Sequence, residues 1–388
     1  MSDRLIVIDD QADFASFVRK VAERVGYEVR TTTQPAEFRQ WLREWSPTLI
    51  ILDLVMPEVD GVEILRFLAE EHCTATIFIM SGFDHRVLDA ARRLGLERGL
   101  NIAATLEKPL RAKELTTLLE LHKVAPSAEI TVDALHEAIG KGDIQPFYQP
   151  KVNLRSWQPM GFEALVRWRH AKRGVISPDE FVPMAEASGS IDDLSKAVAG
   201  SAMAQLATWL HTGMDLKMSI NLSGRNLHEV TLADRLSSMC RQAGVPEDHI
   251  TFEVTETAAM ADPVRALDIL TRLRIKGFEL SIDDFGTGYS SLVQLHRLPF
   301  SELKIDQSFV RECDRSREAR VIVKAIIELA HNLEMFTVAE GAETEDVVHV
   351  LEDMGCDAVQ GYAFARPMGA DRVPAWLEEW SGGAMQRH

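Results

Sequence analysis

The run ELSIDDFGTGYSSL, residues 279–292, sets two carboxylates side by side, Asp283 and Asp284, and then breaks into a glycine loop. Neighbouring side chains on a strand point to opposite faces, so the pair can converge only if regular pairing ends there, a break that Gly286 and Gly288 permit. Packed like charges need a counter-charge, and a metal cation with oxygen ligands supplies one. Other strand-like runs carry similar groups: Glu163 in GFEALVRW, Asn221 in SINLS, Glu253 and Glu256 in FEVTET, Asp306 in LKID, Glu340 and Glu343 in AEGAE, and Gln360 in VQGY. The set holds no thiolate or imidazole, which favours Mg²⁺ or Mn²⁺ over Zn²⁺. Two such ions can activate a water and stabilise the charge that develops on a phosphate undergoing in-line displacement. Phosphodiester hydrolysis fits this chemistry. Lys304 would orient or help deprotonate the water, or hold a phosphate oxygen, while Arg167 neutralises phosphate charge. Taken singly, each cation has a plainer reading as an internal ion pair. Lys304 would pair with Asp306, two residues on and so on the same strand face, and Arg167 with Glu163.

A second constellation lies near the N-terminus. Asp9 and Asp10 end LIVIDD, Asp53 ends LIILD, Ser81 ends IFIMS, and Lys108 ends AATLEK before Pro109. Three carboxylates can hold Mg²⁺, and the Ser81 hydroxyl and Lys108 ammonium can meet phosphoryl oxygens on Asp53. Acidic residues do accumulate at strand ends, but five suitable residues on one sheet edge exceed that habit.

The elements that must position these groups fall into two sets. Over residues 1–122, apolar runs alternate with amphipathic stretches such as 14–25 and 61–71, a pattern that implies parallel strands with crossover helices. That is a doubly wound, flavodoxin-like α/β sheet, whose strand C-terminal ends gather on the ligand-binding edge. Residues 123–130 are polar, carry Pro126 and read as a linker. Beyond it come eight strand-like runs, at 147–154, 161–168, 217–223, 250–256, 279–286, 302–310, 336–342 and 358–365. Helical-length segments such as 263–276 and 317–333 separate most of them. Eight such units over about 250 residues are what a TIM-type (β/α)8 barrel requires, with an open sheet as the alternative.

The 388 residues exceed one ordinary domain, and a 46% hydrophobic, 26% charged composition is globular. A net charge of −17 argues against nonspecific binding to a nucleic acid polymer or an anionic membrane, so an anionic substrate needs local cations. No apolar run is long enough to span a bilayer, and MSDRLIVIDD has no proper cationic region or cleavage site, so the expected location is cytoplasmic. The four cysteines are scattered singly, as packed reduced thiols would be, and the 12 histidines show no HExxH spacing.

Residues 3–122 resemble the receiver domain of two-component response regulators, through the combined DD, D-x-x-M-P-x-x-D-G, SG and KP signals. The resemblance implies that Asp53 is the phosphoacceptor, that Asp9 and Asp10 help bind Mg²⁺, that Ser81 and Lys108 contact the phosphoryl group, and that a sensor histidine kinase is the partner. Thr105 stands where many receivers carry an aromatic switch residue, so coupling through the linker or a dimer contact is expected instead of the usual rotamer switch.

Residues 131–388 resemble the EAL domain, the phosphodiesterase of cyclic di-GMP. The ordered set YQPKVNL, EALVRW, INLS, FEVTET, DDFGTGYSSL, LKID, AEGAET and QGYAFARP carries the resemblance. It implies a modified TIM-type barrel with an antiparallel first strand, two Mg²⁺ or Mn²⁺ ions, and hydrolysis of cyclic di-GMP to linear 5′-pGpG. By the same resemblance Glu163, Asn221, Glu253 and Asp283 ligate one metal. Asp283, Asp284 and Asp306 surround the second, with Glu340 a further member of the acidic site. Lys304 contacts the nucleophilic water, Gln149, Arg167 and Gln360 contact substrate, Glu256 steadies the loop after Asp284, and Glu343 lies nearby. The family also implies a homo-oligomer. The whole reads as a phosphodiesterase controlled by phosphorylation of Asp53. A degenerate domain that only senses cyclic di-GMP is the rival, and it would lack ligands or the loop motif. A DNA-binding regulator lacks both a helix-turn-helix segment and a basic patch.

Overall fold

The computed structural model describes residues 3–57, 59–71, 73–82, 85–123, 130–287 and 292–381. The chain divides into two compact units, Met1–Ala128 and Glu129–His388. Most of the linker expected at 123–130, namely residues 124–129, lies outside the described residues.

In the first unit the runs RLIVI, LIILD and TIFIMS are apolar on both sides, which suits strands covered by helices on each face. They form β1 (Arg4–Ile8), β3 (Leu49–Asp53) and β4 (Thr76–Ser81), joined by β2 (Glu28–Thr32) and β5 (Asn101–Glu107) in the parallel order β2-β1-β3-β4-β5. Alternation divides each strand between two cores: Ile6, Ile8, Ile50 and Leu52 enter one, and Leu5, Val7, Leu49 and Ile51 the other. The helices expected at 14–25 and 61–71 occur at Ala12–Val25 and Gly61–Glu70. Asp60 caps the second of these by accepting a hydrogen bond from the Glu63 amide.

The second unit contains β6 (Ile144–Asn153), β7 (Gln158–His170), β8 (Gly174–Ile176), β9 (Lys217–Asn221), β10 (Ile250–Thr255), β11 (Glu279–Phe285), β12 (Glu302–Ile305), β13 (Phe336–Ala339) and β14 (Ala358–Gln360). Among the described residues their order is β6-β14-β13-β12-β11-β10-β9-β7-β8, and β6 also pairs with β7. That last pairing closes eight strands into a barrel and leaves β8 as an extension of β7, so the open sheet is excluded. β6 is antiparallel to both of its neighbours, whereas β7 and β9 to β14 run parallel.

Several expected strands are shorter than their runs suggest; 217–223 ends at Asn221 and 336–342 at Ala339, and two others shorten for clear reasons. The run 302–310 stops at Ile305, because Asp306 leaves the strand and caps the short helix Gln307–Val310. Lys304 and Asp306 are therefore not two members of one strand face, and the plainer alternative of an ion pair between them gives way to other partners. The run 358–365 keeps only 358–360 as strand, since Gly361 turns the chain under Ala342. A Cβ at Gly361 would stand 2.0 Å from the Ala342 carbonyl oxygen, so only glycine fits this close approach.

The barrel is patterned inside out relative to a usual apolar lumen. Met218, Ile220, Phe252, Val254, Leu280, Ile282, Leu303 and Ile305 are all buried in the main hydrophobic core. The residues alternating with them, Ser219, Asn221, Thr251, Glu253, Ser281, Asp283, Glu302 and Lys304, face the lumen. Among the described residues no helix is long and apolar enough to cross a membrane.

Candidate functional site

Lys304 is fully buried, and a lone ammonium in that position would be costly. Four carboxylates surround it. Its Nζ lies 2.7 Å from Glu253 Oε2, 2.6 Å from Glu340 Oε1, 3.1 Å from Asp283 Oδ1 and 3.5 Å from Glu163 Oε2. These partners come from β10, the segment after β13, β11 and β7. Glu163 is held further, its Oε1 accepting from Asn221 Nδ2 at 2.7 Å and its Oε2 from Gln360 Nε2 at 2.7 Å. Gln360 Nε2 also donates to Gln149 Oε1 at 3.0 Å, and Gln149 Nε2 donates to the Ala365 carbonyl. A single network thus joins Gln149, Glu163, Asn221, Glu253, Asp283, Lys304, Glu340 and Gln360.

Asp283 and Asp284 converge through the backbone rather than through the glycines alone. The pairing of β11 with β12 shifts register between Ile282 and Phe285, and Asp284 itself adopts φ 55°. Aspartate tolerates this left-handed conformation better than most residues, although at a cost. The break thus begins two residues before Gly286, which follows at φ 102°. Gly288 lies outside the described residues. The carboxylate oxygens of Asp283, Asp284 and Glu340 fall within 4.8 Å of one another, a spacing that a divalent cation can span. Asp306 is close enough to raise the Asp284 carboxyl, but its own Oδ1 accepts from the amide and hydroxyl of Ser308.

Burial and mutual repulsion separate the carboxyls. Burial lifts Glu163 to about 7, with the Glu253 charge adding to the effect and Lys304 opposing it. Burial, Asp283 and Asp306 lift Asp284 to about 6. Burial also raises Asp283 and Glu340, against the pull of Lys304. Glu253 goes the other way: burial would raise it, but Lys151 and Lys304 together hold it at about 2. Lys304 stays strongly protonated because its carboxylates outweigh the cost of burial. Protonation states pushed apart in one cleft mark a functional site.

The mouth opens into a cavity of about 300 Å³ whose lining includes Gln149, Glu163, Asn221, Asp283, Glu340 and Gln360. Gln307, Arg311 and Tyr362 line it too, and sequence reasoning missed them. Arg311 is paired with Glu343 at 3.1 Å, so Glu343 reaches the site as part of an ion pair. A second cavity of about 580 Å³ shares Leu165 and Asn221 with the first and contains Arg167. The plainer alternative for Arg167, an ion pair with Glu163, does not form; Arg167 Nη1 donates to the Val166 carbonyl, and burial lowers the guanidinium's pKa. Glu256 accepts from the Gly286 amide at 2.9 Å, tying the helix after β10 to the loop after β11.

In the first unit Lys108 Nζ bridges Asp9 Oδ2 at 2.7 Å and Asp53 Oδ2 at 2.5 Å. Oxygens of Asp9, Asp10 and Asp53 lie within 4.8 Å of one another, and Ser81 is buried at the end of β4. Burial raises the Asp9 carboxyl despite Lys108. Thr105 lies on β5 opposite Ile79.

A family model of the response regulator receiver domain matches residues 5–120, and one of the EAL domain matches residues 132–367. The chain belongs to the EAL-domain family. Its EAL domain is preceded by a receiver domain, the arrangement of a response regulator. The cyclic di-GMP phosphodiesterase RocR of Pseudomonas aeruginosa is 31% identical over 329 residues, covering 82% of this chain and 84% of that protein. The bifunctional diguanylate cyclase/cyclic di-GMP phosphodiesterase MucR of the same organism is 37% identical over 288 residues. That match covers 74% of this chain but 40% of MucR, and the chain likewise spans 42% of the cyclic di-GMP phosphodiesterase PA2567. A solved structure of the MucR phosphodiesterase with c-di-GMP superposes with a TM-score of 0.60 at 39% identity, covering 62% of this chain and 98% of that one.

The largest omission of sequence reasoning in the EAL domain is Lys151. It stands in YQPKVNL on β6, a position whose inward orientation appears only once β6 is placed antiparallel in the barrel.

Proposed function

We propose that the EAL domain hydrolyses cyclic di-GMP to linear 5′-pGpG with two Mg²⁺ or Mn²⁺ ions, under control of phosphorylation at Asp53 in the receiver domain. The observation that carries this reading is the array around Lys304, where every polar position of the motif set is filled and the groups meet at one mouth. The donor set fits hard divalent cations, being oxygen throughout and rich in carboxylate. Glu163, Asn221, Glu253 and Asp283 would hold one ion, and Asp283, Asp284 and Asp306, with Glu340 beside them, the other. Bound there, the ions supply Lewis-acid stabilisation of the charge on the phosphate.

The chain's own residues do the rest. Gln149, Gln360 and Arg167 hold the phosphodiester in the cleft, with Arg167 offering the cation that an overall acidic protein must place locally. Lys304, an ammonium among its carboxylates in the metal-free barrel, orients the attacking water and stabilises charge. The water oxygen bonds to phosphorus and sheds a proton, the bond from phosphorus to the 3′ oxygen breaks, and that oxygen takes up a proton and leaves as a hydroxyl, so that one water is added overall. The product carries a new 5′-phosphate end. Glu256 keeps the loop after Asp284 in place through the Gly286 amide. In the receiver domain Asp9 and Asp10 hold Mg²⁺ beside Asp53, which takes a phosphoryl group from a sensor histidine kinase, with Lys108 and Ser81 on its oxygens. The working form is a homo-oligomer, which light scattering on the purified chain would check.

The decisive test is mass-spectrometric product analysis after incubating the chain with cyclic di-GMP and Mg²⁺, with EDTA as control. Metal-dependent linear pGpG is the expected product. Intact cyclic di-GMP with Mg²⁺, with Mn²⁺ and with beryllofluoride added would overturn the reading in favour of a sensor.

A further inference from the structure

Beyond the mouth, the lumen holds a second buried cation with no assigned role. Lys151 is 3% exposed and crosses from β6 to β10, strands that are not neighbours in the barrel. Its Nζ lies 2.7 Å from Glu253 Oε1, 2.9 Å from Glu302 Oε1 and 2.7 Å from Ser219 Oγ, so all three ammonium protons have acceptors. The other oxygen of Glu253, Oε2, is the one that faces Lys304 and the mouth. Lys151, Ser219 and Glu302 also line a cavity of about 320 Å³ bounded by Lys217, Glu279 and Phe336, the first residues of β9, β11 and β13. That cavity is at the end of the barrel opposite the mouth. Lys151 therefore reaches Glu253 from the floor while Lys304 reaches it from above.

We propose that Lys151 is a positioning residue for the hydrolytic centre: anchored to Glu302 and Ser219, it ties down Glu253 Oε1 and fixes the carboxylate with Oε2 turned to the mouth. This rests on the reading that Glu253 helps hold a divalent cation. The terminal torsion of a glutamate is broad and roughly two-fold, so a carboxylate held at Oε2 alone keeps freedom that the cation must remove on binding, at an entropic cost. Outer partners that orient a ligand are worth about 10–100-fold in metal affinity or activity. A lysine that merely balanced buried charge would act differently. Its loss would leave Glu253 a less compensated anion, and cation binding would stay constant or tighten.

The test uses the full-length chain stripped of metal, with Mn²⁺ alone as probe and free Mn²⁺ followed by electron paramagnetic resonance. Lys151→Met is expected to weaken Mn²⁺ binding about 10–100-fold. It should lower kcat while leaving KM for cyclic di-GMP within about threefold, the signature of a centre disturbed without loss of uniform binding. Lys151→Arg, which keeps a donor on Glu253, is expected to recover part of both losses. If Lys151→Met does not fold, Glu302→Ala decides, since it releases Lys151 from its floor anchor at the edge of a cavity and should weaken Mn²⁺ binding several-fold. A folded Lys151→Met protein, or failing that Glu302→Ala, with unchanged or tighter Mn²⁺ binding would overturn the proposal. Wild-type chain that binds no Mn²⁺ would remove the metal reading itself and the proposal with it, a result distinct from equal binding by wild type and variant.

Discussion

The backbone amide of Asp284 donates to Asp283 Oδ1 at 3.0 Å, and Asp284 itself adopts a left-handed backbone. Two adjacent acids thus share one site at the expense of strain and repulsion, the opposite of what stability alone would select. Asp284→Asn keeps the shape and tolerates the backbone while deleting the charge. The variant is expected to melt higher than wild type without metal and to bind Mn²⁺ at least about tenfold more weakly. Differential scanning calorimetry and Mn²⁺ titration report the two effects, and a lower melting temperature with unchanged affinity would contradict this account.

Lys304 is the counter-charge to four carboxylates in the metal-free barrel. Breaking a buried ionic cluster by removing one partner costs about 3–5 kcal/mol. Lys304→Met should lose that much in urea unfolding without metal, regain part of it on adding Mn²⁺, and turn over no cyclic di-GMP. Unfolding midpoints that match wild type would show that the cluster is not balanced by this lysine.

Glu253 is the carboxylate held most firmly as an anion, at about 2, by the lysines above and below it. Glu253→Gln retains volume and one hydrogen-bond acceptor but loses the charge that attracts a cation. Turnover should fall by more than the roughly 100-fold that loss of an outer partner costs. Full activity at saturating Mg²⁺ would exclude Glu253 as a ligand.

The pH response of the metal-free chain has a definite sign. Glu163 rises from 4.5 to about 7 and Asp284 from 3.8 to about 6, so each binds its proton more tightly folded than unfolded. Their stabilising contribution is full below the unfolded values and is lost as pH climbs through the folded ones. Glu253 works in the opposite sense, but its window lies lower, between about 2 and 4.5. The melting temperature of metal-free protein should therefore fall between about pH 4.5 and 7. Mn²⁺ affinity should rise over the same interval with release of protons, because the ligands must be deprotonated to bind. Calorimetric titration in buffers of different ionisation enthalpy would measure that release, and an affinity independent of pH would refute the assignment.

In the receiver domain the Lys108 ammonium already sits 2.5 Å from Asp53 Oδ2, where a phosphoryl group would need a cation. Incubation with a small phosphodonor and Mg²⁺ should add one phosphate to wild type and none to Asp53→Asn, by intact-mass measurement. Asp53→Asn should also lose any change of phosphodiesterase rate on phosphorylation. Equal labelling of the variant would place the acceptor elsewhere.

Much of this was legible in the sequence because the groups that do chemistry stand at the ends of apolar runs, where period-two alternation and a chain break mark them. Asp53 follows that rule, whereas Glu163, Glu253 and Lys304 stand inside their runs and are marked by a charge on an otherwise apolar stretch. What escaped depends on tertiary closure. Asp306 seemed to extend the strand of Lys304, but its carboxylate prefers to cap the next helix, a local choice that apolar patterning does not encode. The turn at Asp284 was credited to the glycines after it, since nothing in a residue list announces a positive φ at aspartate. Arg311 and Tyr362 reach the mouth from segments that follow β12 and β14, and only the folded barrel brings them there. Lys151 was invisible for the same reason, its partners being 102 and 151 residues away along the chain.

The polar lumen also constrains how this barrel can change over generations. Glu302, Lys151, Glu253, Lys304 and Glu340 form an alternating column of charge through the lumen. Deleting any one member strands its neighbours in the buried interior, whereas replacing two opposite charges by apolar residues of similar volume can be neutral. A lineage that abandons the chemistry is thus steered to discard acid and base together, and one that keeps the fold while losing single members accumulates an instability it must repair elsewhere.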